Sequence, residues 1–375
     1  MNNLTDAASR FIRPEIAAME PYHPIVPFDV LSARLGIPES ELVKLDANEN
    51  PYGPSPRALA ALASGRHFHI YPDPEATALR RLLSAHTGLP SDRLLAGMGA
   101  DELIDLILRV VLAPGDVVID CPPTFGMYPF STVVNGGRYV AVPRDEQFSL
   151  DVAGIEQAVA AEPNAKILFL CSPNNPDGSL IDDESLTRLL RLPLLVVLDE
   201  AYIDFAAQPS RMDWALQHEN LAVIRTFSKQ AGLAGLRLGY GIFPDWLLPQ
   251  LWKIKQPYNV NVAAGLAGQA ALEDQDWLAE VTEKLITGRE RLLAALGTIP
   301  YLQPYPSQAN FILCRLRQGD AAQLKADLAQ QGILVRYFNK PGLANCVRIS
   351  VGRPEQTDRL LAALRTWQPA AGDPS

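Results

Sequence analysis

The sequence predicts an α/β fold: a large domain with a mostly parallel sheet flanked by helices, plus a smaller α+β domain built from both termini. The first observation is a set of continuously apolar runs, at 116–120, 166–171, 194–198 and 221–225. Strands buried on both faces of a parallel sheet have this continuous apolar character. The second observation is that helix-like segments, such as 103–112 and 182–192, alternate with these runs. That alternation is typical of an open α/β sheet.

The third observation is that both ends of the chain differ from its middle. Residues 1–45 are punctuated by prolines and contain a helix-like segment over 28–35. After about residue 290 the order becomes α+β, with helix-like segments at 290–296 and 321–331 and strand-like segments at 310–314, 333–336 and 346–350, then a final helix. We therefore predict a large domain at 46–285, which carries the ligand site, and a small domain formed by 1–45 with 286–375.

Composition limits the classes of partner. The formal net charge of −9 argues against nucleic acid or an anionic membrane as the main partner, so an anionic ligand needs a local cationic pocket. Four cysteines lie far apart without a C-x-x-C pair, which predicts neither disulfides nor a zinc site. His67 and His69 lack a third ligand, so no metal is expected. No secretory signal or membrane-spanning run is visible, and we expect a soluble, cytoplasmic protein.

Polar residues follow most of the predicted strands directly. They are the segments 121–124, 172–176, 199–200 and 226–229. In open α/β sheets, ligands bind in the crevice beyond the carboxyl ends of the strands. Several separate loops are therefore expected to converge on one pocket.

Lys229 ends the segment Val-Ile-Arg-Thr-Phe-Ser-Lys, and Arg237 follows between glycines. The lysine amine could bond covalently to an aldehyde cofactor, while Thr226, Ser228 and Arg237 hold the phosphate of that cofactor. The alternative is a surface lysine that follows a strand.

The segment 97–102, Gly-Met-Gly-Ala-Asp-Glu, opens a predicted helix. Glycines before a helix leave backbone N–H groups free to bind a phosphate, and the helix dipole favours the negative charge. The alternative is a tight loop in which Asp101 caps the helix.

Four further residues could hold a flat heteroaromatic ring. Asp199 ends an apolar run and could keep a pyridine nitrogen protonated, and Tyr202 could reach a phenolate oxygen on the same ring. Asn175 lies in a turn built by two prolines and a glycine, and its amide could donate to that oxygen. Phe125 could stack on the ring. The alternatives are that Asp199 only caps a turn at the end of a strand, that Asn175 only builds its turn, and that Phe125 packs in the core.

Arg336 and Arg348 lie in or beside predicted strands, where an arginine is unfavourable unless it is paired. Guanidinium groups suit a carboxylate or phosphate on a substrate. Structural salt bridges are the alternative.

Together these residues resemble the pyridoxal-phosphate-dependent aminotransferases of the aspartate-aminotransferase fold, and within them the branch that acts on L-histidinol phosphate. The resemblance runs from 20–22 to 348–352 and includes Asp-Ala-Asn-Glu-Asn-Pro-Tyr-Gly-Pro at 46–54. Its other motifs are 99–102, 172–178, 199–202, 226–229 and 235–239.

The resemblance implies roles for residues around pyridoxal 5'-phosphate. Lys229 would bond to the cofactor, and Asp199 would pair with the pyridine nitrogen. Tyr202 and Asn175 would contact the phenolate oxygen, with Phe125 stacked on the ring. The phosphate would be bound by the remaining cofactor residues: Ala100 and Asp101 through their backbone, Thr226, Ser228 and Arg237.

The resemblance also implies a homodimer, in which Tyr52 reaches the phosphate from the other subunit. Arg348 would hold the carboxylate of ordinary amino acids or the phosphate of histidinol phosphate. Arg336, Tyr22 and Asn48 would be further substrate-binding residues.

Three departures from the family pattern stand out. The family often has threonine at Asp177, tyrosine at Phe125 and an alanine-phenylalanine pair at 230–231. In addition, Tyr22-His23-Pro24-Ile25 lacks the Tyr-x-Pro-Gly pattern that is frequent in relatives.

The implied activity is exchange of an amino group between L-histidinol phosphate and 2-oxoglutarate, which gives imidazole acetol phosphate and glutamate in histidine biosynthesis. Two other enzymes stay open: an aromatic amino acid aminotransferase, and a decarboxylase that resembles threonine-phosphate decarboxylase. A cofactor-sensing regulator is disfavoured, because the 45 residues before the Asn48 motif are too few for a DNA-binding domain and show no basic helix-turn-helix pattern.

Overall fold

The computed structural model describes residues 10–21 and 26–369. Its strands in that part of the chain are β1 (Val43–Leu45), β2 (Leu94–Gly97), β3 (Val117–Asp120), β4 (Arg138–Ala141), β5 (Ala165–Cys171), β6 (Leu195–Asp199), β7 (Leu221–Thr226), β8 (Gly239–Ile242), β9 (Leu302–Pro304), β10 (Phe311–Leu316), β11 (Ile333–Tyr337) and β12 (Cys346–Ser350).

The α-helices described are α1 (Pro14–Ala17), α2 (Phe28–Leu35), α3 (Pro56–Ala63), α4 (Thr77–Thr87), α5 (Gly99–Val111), α6 (Met127–Val134), α7 (Val152–Ala161), α8 (Asp183–Leu189), α9 (Leu248–Ile254), α10 (Val262–Leu272), α11 (Gln275–Gly297), α12 (Ala321–Gln330) and α13 (Pro354–Thr366). In the described parts of the chain, no helix is both long and apolar enough to cross a membrane.

The large sheet has the order β2-β8-β7-β6-β5-β3-β4. Its pairs are parallel except those made by β8, which runs antiparallel to both β2 and β7. Buried side chains cover both faces: those of α4, α7, α8 and α10 pack on one, and those of α5, α6 and α9 on the other. This confirms the predicted mostly parallel sheet flanked by helices, including the four strands that were read as continuous apolar runs.

The strand register brings the polar loops to one edge of the large sheet. Cys171 pairs with Asp199 across β5 and β6. Gly239 pairs with Thr226 on one side and with Gly97 on the other. The residues that follow β5, β6 and β7, and the glycine segment after β2, therefore meet at the same edge.

The second sheet has the order β1-β11-β12-β10-β9. Its core is packed by side chains of α11, α12 and α13. β1 comes from near the start of the chain and pairs in parallel with β11, so both ends of the chain build this sheet. The division at 285/286 stays a prediction, and that position falls inside α11.

One element differs in length from its prediction. The helix expected over 290–296 is only the end of α11, which begins at Gln275. Its buried residues recur at helical spacing from Leu278 to Leu296. Thr282, Thr287 and Gly288 have low helix propensity, and in the sequence they obscured this pattern. Burial of the apolar face overrides that propensity in the fold.

Candidate active site

A cavity at the edge of the large sheet gathers most of the predicted ligand residues. It is lined by ten of them, together with Cys171 and Ala201: Ala100, Asp101, Phe125, Asn175, Asp199, Tyr202, Thr226, Ser228, Lys229 and Arg237. Segments that follow five different strands, β2, β3, β5, β6 and β7, thus converge here, as the strand ends predicted.

Asp199 ends β6 and is only 3% exposed. Its Oδ2 accepts a hydrogen bond of 2.8 Å from the Tyr128 hydroxyl, and its Oδ1 accepts one of 3.0 Å from the Ala201 N–H. Burial raises the pKa of this carboxyl to about 6, although the Tyr128 and Ala201 hydrogen bonds act in the opposite direction. An acid held in this way can donate or accept a proton near neutral pH.

Lys229 follows β7 and is half-buried. Its Nζ lies 3.5 Å from the carbonyl oxygen of Ala47 and 5.5 Å from the centre of the Tyr202 ring. Withdrawal of the amine from water and, to a smaller extent, the positive charge of Arg348 together lower its pKa to about 8. A substantial fraction of the amine is therefore unprotonated at mildly alkaline pH, as a nucleophile or base requires.

The glycine segment and Arg237 form a compact group of donors beside Lys229. Arg237 Nη2 donates to Asp101 Oδ2 at 2.9 Å, and Nη1 lies 3.5 Å from Ser228 Oγ. A Cβ atom at Gly99, whose φ is 79°, would lie 2.7 Å from Arg237 Nη2. A Cβ at Gly239 would lie 2.5 Å from the N atom of Ala100. Glycine accommodates this close approach, which brings the start of α5 and the Arg237 guanidinium to one wall of the cavity.

Two predicted substrate residues, Arg348 and Asn48, donate hydrogen bonds to residues that line the cavity. Arg348 is 6% exposed; its Nη1 donates to Asn175 Oδ1 at 2.5 Å and its Nη2 to the Asp46 carbonyl at 2.9 Å. Asn48 Nδ2 donates to the Tyr202 hydroxyl at 3.1 Å, while Asn48 Oδ1 accepts from Ser350 at 2.9 Å. Both contacts join β12 of the second sheet to residues at the edge of the large sheet.

Two other predicted residues, Arg336 and Tyr52, are not among the residues that line the cavity. Arg336 faces Arg348 across β11 and β12, and both guanidinium carbons lie over the Phe338 ring, at 5.7 and 5.5 Å. Tyr52 does not line the cavity; it lies with Lys284 at a separate depression, and the Arg353 guanidinium lies over its ring at 5.6 Å. Tyr22 lies outside the described residues.

Tyr128 and Cys171 belong to the site but were not predicted. Tyr128 is fully buried in α6 and reaches Asp199, and Cys171 ends β5 beside Asp199. In the sequence, Tyr128 stands three residues after Phe125, which is helical spacing but is equally expected of a core aromatic. Cys171 had the appearance of the last apolar residue of a strand.

The departures from the family pattern are accommodated structurally. Asp177 is buried, and its carboxylate accepts from Asn174 Nδ2 and, at 2.8 Å, from the Ser179 N–H. It therefore fixes the turn that carries Asn175. Gln230 donates through Nε2 to Thr282 at 2.8 Å, which ties the Lys229 turn to α11.

A larger cavity of about 480 Å³ lies elsewhere, beside His86. The two arginines in its wall are already paired, Arg211 with Asp183 and Arg225 with Asp204. It does not collect the predicted ligand residues. Within residues 10–21 and 26–369, no group of three His, Cys, Asp or Glu side chains is placed to hold a metal ion.

Comparison with known proteins agrees with this geometry. The family profile "Aminotransferase class I and II" matches residues 40–364. A chloroplastic histidinol-phosphate aminotransferase of Nicotiana tabacum is 54% identical over 356 residues, which cover 95% of this chain and 86% of the relative. A histidinol-phosphate aminotransferase of Roseiflexus castenholzii is also 54% identical, over 94% of this chain and 97% of its own length.

Solved structures give the same result. The histidinol-phosphate aminotransferase of Sinorhizobium meliloti, solved in complex with pyridoxal-5'-phosphate, has a TM-score of 0.85 and 31% identity, covering 94% of this chain and 96% of that one. The L-threonine-O-3-phosphate decarboxylase of Porphyromonas gingivalis has a TM-score of 0.75 and 25% identity, with 86% and 98% covered. Because the family profile spans most of the residues and close relatives span nearly all of them, this chain belongs to the class I and II aminotransferases and is a pyridoxal-phosphate-dependent transaminase.

Proposed function

We propose that this protein exchanges the amino group between L-histidinol phosphate and 2-oxoglutarate, giving imidazole acetol phosphate and glutamate, as a step of histidine biosynthesis. The relatives that are 54% identical over at least 94% of the chain support this substrate. The observation that carries the proposal is that Arg336 and Arg348 are aligned across β11 and β12, and that Arg348 donates to Asn175 in the cavity wall. The pair would offer two guanidinium groups to an anionic substrate end. Two paired cations suit a phosphate dianion.

The residues present fit pyridoxal phosphate. The start of α5, Ser228 and Arg237 line the cavity together and would hold the phosphate, and Asp199 would face the ring nitrogen. Phe125 lies half-buried at the cavity wall, where it would pack on the ring. Bound there, the cofactor supplies an aldehyde that takes up the substrate amine and a ring that accepts electrons from the α-carbon.

The proton chemistry falls to Lys229. Its lowered pKa leaves part of the amine unprotonated, so Nζ can take the proton from the α-carbon of the substrate. Asn175 and Tyr202 are set up as donors by their neighbours: Asn175 Oδ1 accepts from Arg348, which leaves its N–H groups for the phenolate oxygen of the cofactor. Asn48 occupies an acceptor position on the Tyr202 hydroxyl, which leaves the hydroxyl proton available.

The substrate experiment mixes the cofactor-loaded protein with L-histidinol phosphate or with L-phenylalanine and follows the absorption of the cofactor. Conversion by histidinol phosphate at least about 100-fold faster than by phenylalanine would support the proposal, a ratio that corresponds to the gain from one well-placed charged pair. Equal or faster conversion by phenylalanine would identify an aromatic aminotransferase instead. Release of carbon dioxide without a keto acid would identify a decarboxylase.

We also propose a homodimer in which Tyr52 completes the partner's phosphate site. A group of exposed apolar side chains supports an interface: Leu59, Phe68, Ile70, Tyr71, Met98 and Tyr258. Tyr71 and Tyr258 stack at 4.6 Å, so their rings present one apolar surface.

The cytoplasmic location stays a prediction, since the Nicotiana relative is named chloroplastic.

Mixing variants tests the shared site. Tyr52→Ala and Lys229→Ala homodimers should each be impaired, whereas a refolded mixture contains dimers with one site that has both wild-type residues. Activity above the sum of the two parents is expected. A mixture no more active than that sum, in a sample shown to contain mixed dimers, would contradict a Tyr52 contribution across the interface.

A further inference from the structure

Asp199 is held by neutral donors in an apolar environment, and one of these donors is a side chain that the proposed mechanism does not use. The Tyr128 hydroxyl lies 2.8 Å from Asp199 Oδ2. We propose that Tyr128 is a positioning residue, which keeps Asp199 ionised and aimed so that the shared proton stays on the ring nitrogen of the cofactor. The inference rests on the cofactor placement given above, but not on the identity of the substrate.

Full burial and two aromatic neighbours, Phe169 and Phe125, hold the Tyr128 ring in position. Its side chain is fully buried, and its ring stacks on Phe169 at 4.6 Å with an angle of 2° between the planes. Its edge meets Phe125 at 5.5 Å and 83°. Because the ring cannot turn away, the hydroxyl has a constant direction toward Asp199. Tyr128 therefore contacts both the residue proposed to pack on the cofactor ring and the residue proposed to face its nitrogen.

The direction of the effect follows from which group holds the proton. Burial favours the neutral form of Asp199, and the Tyr128 hydrogen bond favours the ionised form. Burial also raises the pKa of the Tyr128 phenol, so this hydroxyl remains a donor throughout the working pH range. A donor on the carboxylate lowers the affinity of Asp199 for the proton that it shares with the ring nitrogen. Without that donor, the proton moves toward Asp199 and the ring becomes a weaker acceptor of electrons.

The test replaces the hydroxyl alone. Tyr128→Phe keeps the ring that packs on Phe169 and Phe125, so the fold is expected to persist. The holoenzyme is loaded with pyridoxal phosphate carrying ¹⁵N at the ring nitrogen, and the ¹⁵N resonance is recorded without substrate. The wild-type signal is expected at the position of a protonated pyridine, and the Tyr128→Phe signal shifted toward that of an unprotonated one.

Tyr301→Phe is the matched control. Tyr301 is also buried, and its hydroxyl donates to the Leu364 carbonyl oxygen in the core of the second sheet. The Tyr301→Phe substitution should lower the stability of the fold without moving the ¹⁵N signal of the cofactor. A signal in Tyr128→Phe that stays at the wild-type position would overturn the proposal and leave Tyr128 as a core residue. A wild-type signal that is itself unprotonated would instead refute the placement of Asp199 at the nitrogen.

A double-mutant cycle gives a second readout. If Tyr128 acts through Asp199, Tyr128→Phe should slow the amino-donor half-reaction about tenfold in the wild type, the order expected for one hydrogen bond to a charged group. In an Asp199→Asn background the same change should have almost no further effect. Equal losses in both backgrounds would mean that Tyr128 does not act through Asp199.

Discussion

The two arginines at the ends of the site stand in opposite environments. Arg237, at the edge of the large sheet, has a side chain that is 44% exposed and forms an ion pair with Asp101. Arg348, in the second sheet, is 6% exposed and donates to an amide oxygen and to a backbone carbonyl. A carboxylate thus already faces Arg237, whereas the two hydrogen bonds of Arg348 to Asn175 and Asp46 go to uncharged oxygen atoms. The proposed cofactor end and the proposed substrate end therefore differ in how deeply their arginines are buried.

The contrast also lies in how each end is assembled. The cofactor end is built from short segments that follow strands of one sheet, so that strand register alone brings them together. The substrate end joins Arg348 to Asn175, 173 residues away, and to Asp46, 302 residues away. Any change in the packing of the two sheets against each other would therefore alter substrate binding before it alters cofactor binding.

Replacement of Lys229 is expected to cause the largest loss of turnover of any change at the cofactor end. We expect Lys229→Ala to lower turnover by roughly 10⁴-fold or more, because both the covalent attachment and the proton acceptor are lost. Arg237 and Ser228 remain, so the variant should still retain some cofactor after dialysis. Lys325→Ala, an exposed lysine on α12, is the control and should retain full activity. Turnover of Lys229→Ala within tenfold of the wild type would refute the assignment.

Asp199 is expected to reduce stability when no cofactor is bound. Its pKa rises from 3.8 in the unfolded chain to about 6 in the fold, so the folded state holds the proton more tightly. Stability is therefore lost as pH rises from about 4 to about 6, and the full penalty, about 3 kcal/mol at roughly 1.4 kcal/mol for each pH unit, persists at pH 8.

Asp199→Asn removes that penalty, because an amide stays neutral and the Tyr128 hydroxyl can accept as well as donate. Urea unfolding of the cofactor-free proteins should show the variant more stable by about 3 kcal/mol at pH 8 and nearly equal at pH 4. The loaded variant should nonetheless lose activity. A variant that is less stable at pH 8 would show that Asp199 is held favourably in the absence of the cofactor.

Substitution of Arg348 or Arg336 tests whether these arginines bind the phosphate of the substrate. We expect Arg348→Gln to lower kcat/KM for L-histidinol phosphate by about 100-fold, as for the loss of a charge-assisted contact, and Arg336→Gln by about tenfold, since Arg336 lies farther from Asn175. L-Histidinol, which lacks the phosphate, is the matched substrate. With histidinol, Arg348→Gln should have much less effect. An equal loss on both substrates would mean that Arg348 acts mainly by holding Asn175.

Local sequence patterns predicted that Asp199 and Lys229 lie at the ends of strands, but they predicted neither the contact of Tyr128 with Asp199 nor the alignment of Arg336 with Arg348. A buried parallel strand is continuously apolar and its carboxyl end faces ligand, so Asp199 and Lys229 could be found from local patterns. The contact of Tyr128 with Asp199 depends on how α6 packs on the sheet, which no local pattern encodes. The alignment of Arg336 with Arg348 depends on the register of β11 and β12, and a shift of one residue would send either side chain to the other face.

The smallest expected effect concerns Phe125, where relatives often have tyrosine. The Phe125 ring is half-buried and meets the edge of Tyr128, so its packing on the cofactor depends on the ring and not on a hydroxyl. Phe125→Tyr should therefore change kcat/KM by less than about threefold, whereas Phe125→Leu should lower it roughly two- to tenfold through the loss of aromatic packing. Steady-state kinetics with L-histidinol phosphate measure both. A tenfold gain from the added hydroxyl would instead show that this end of the site still lacks a polar contact that a tyrosine can supply.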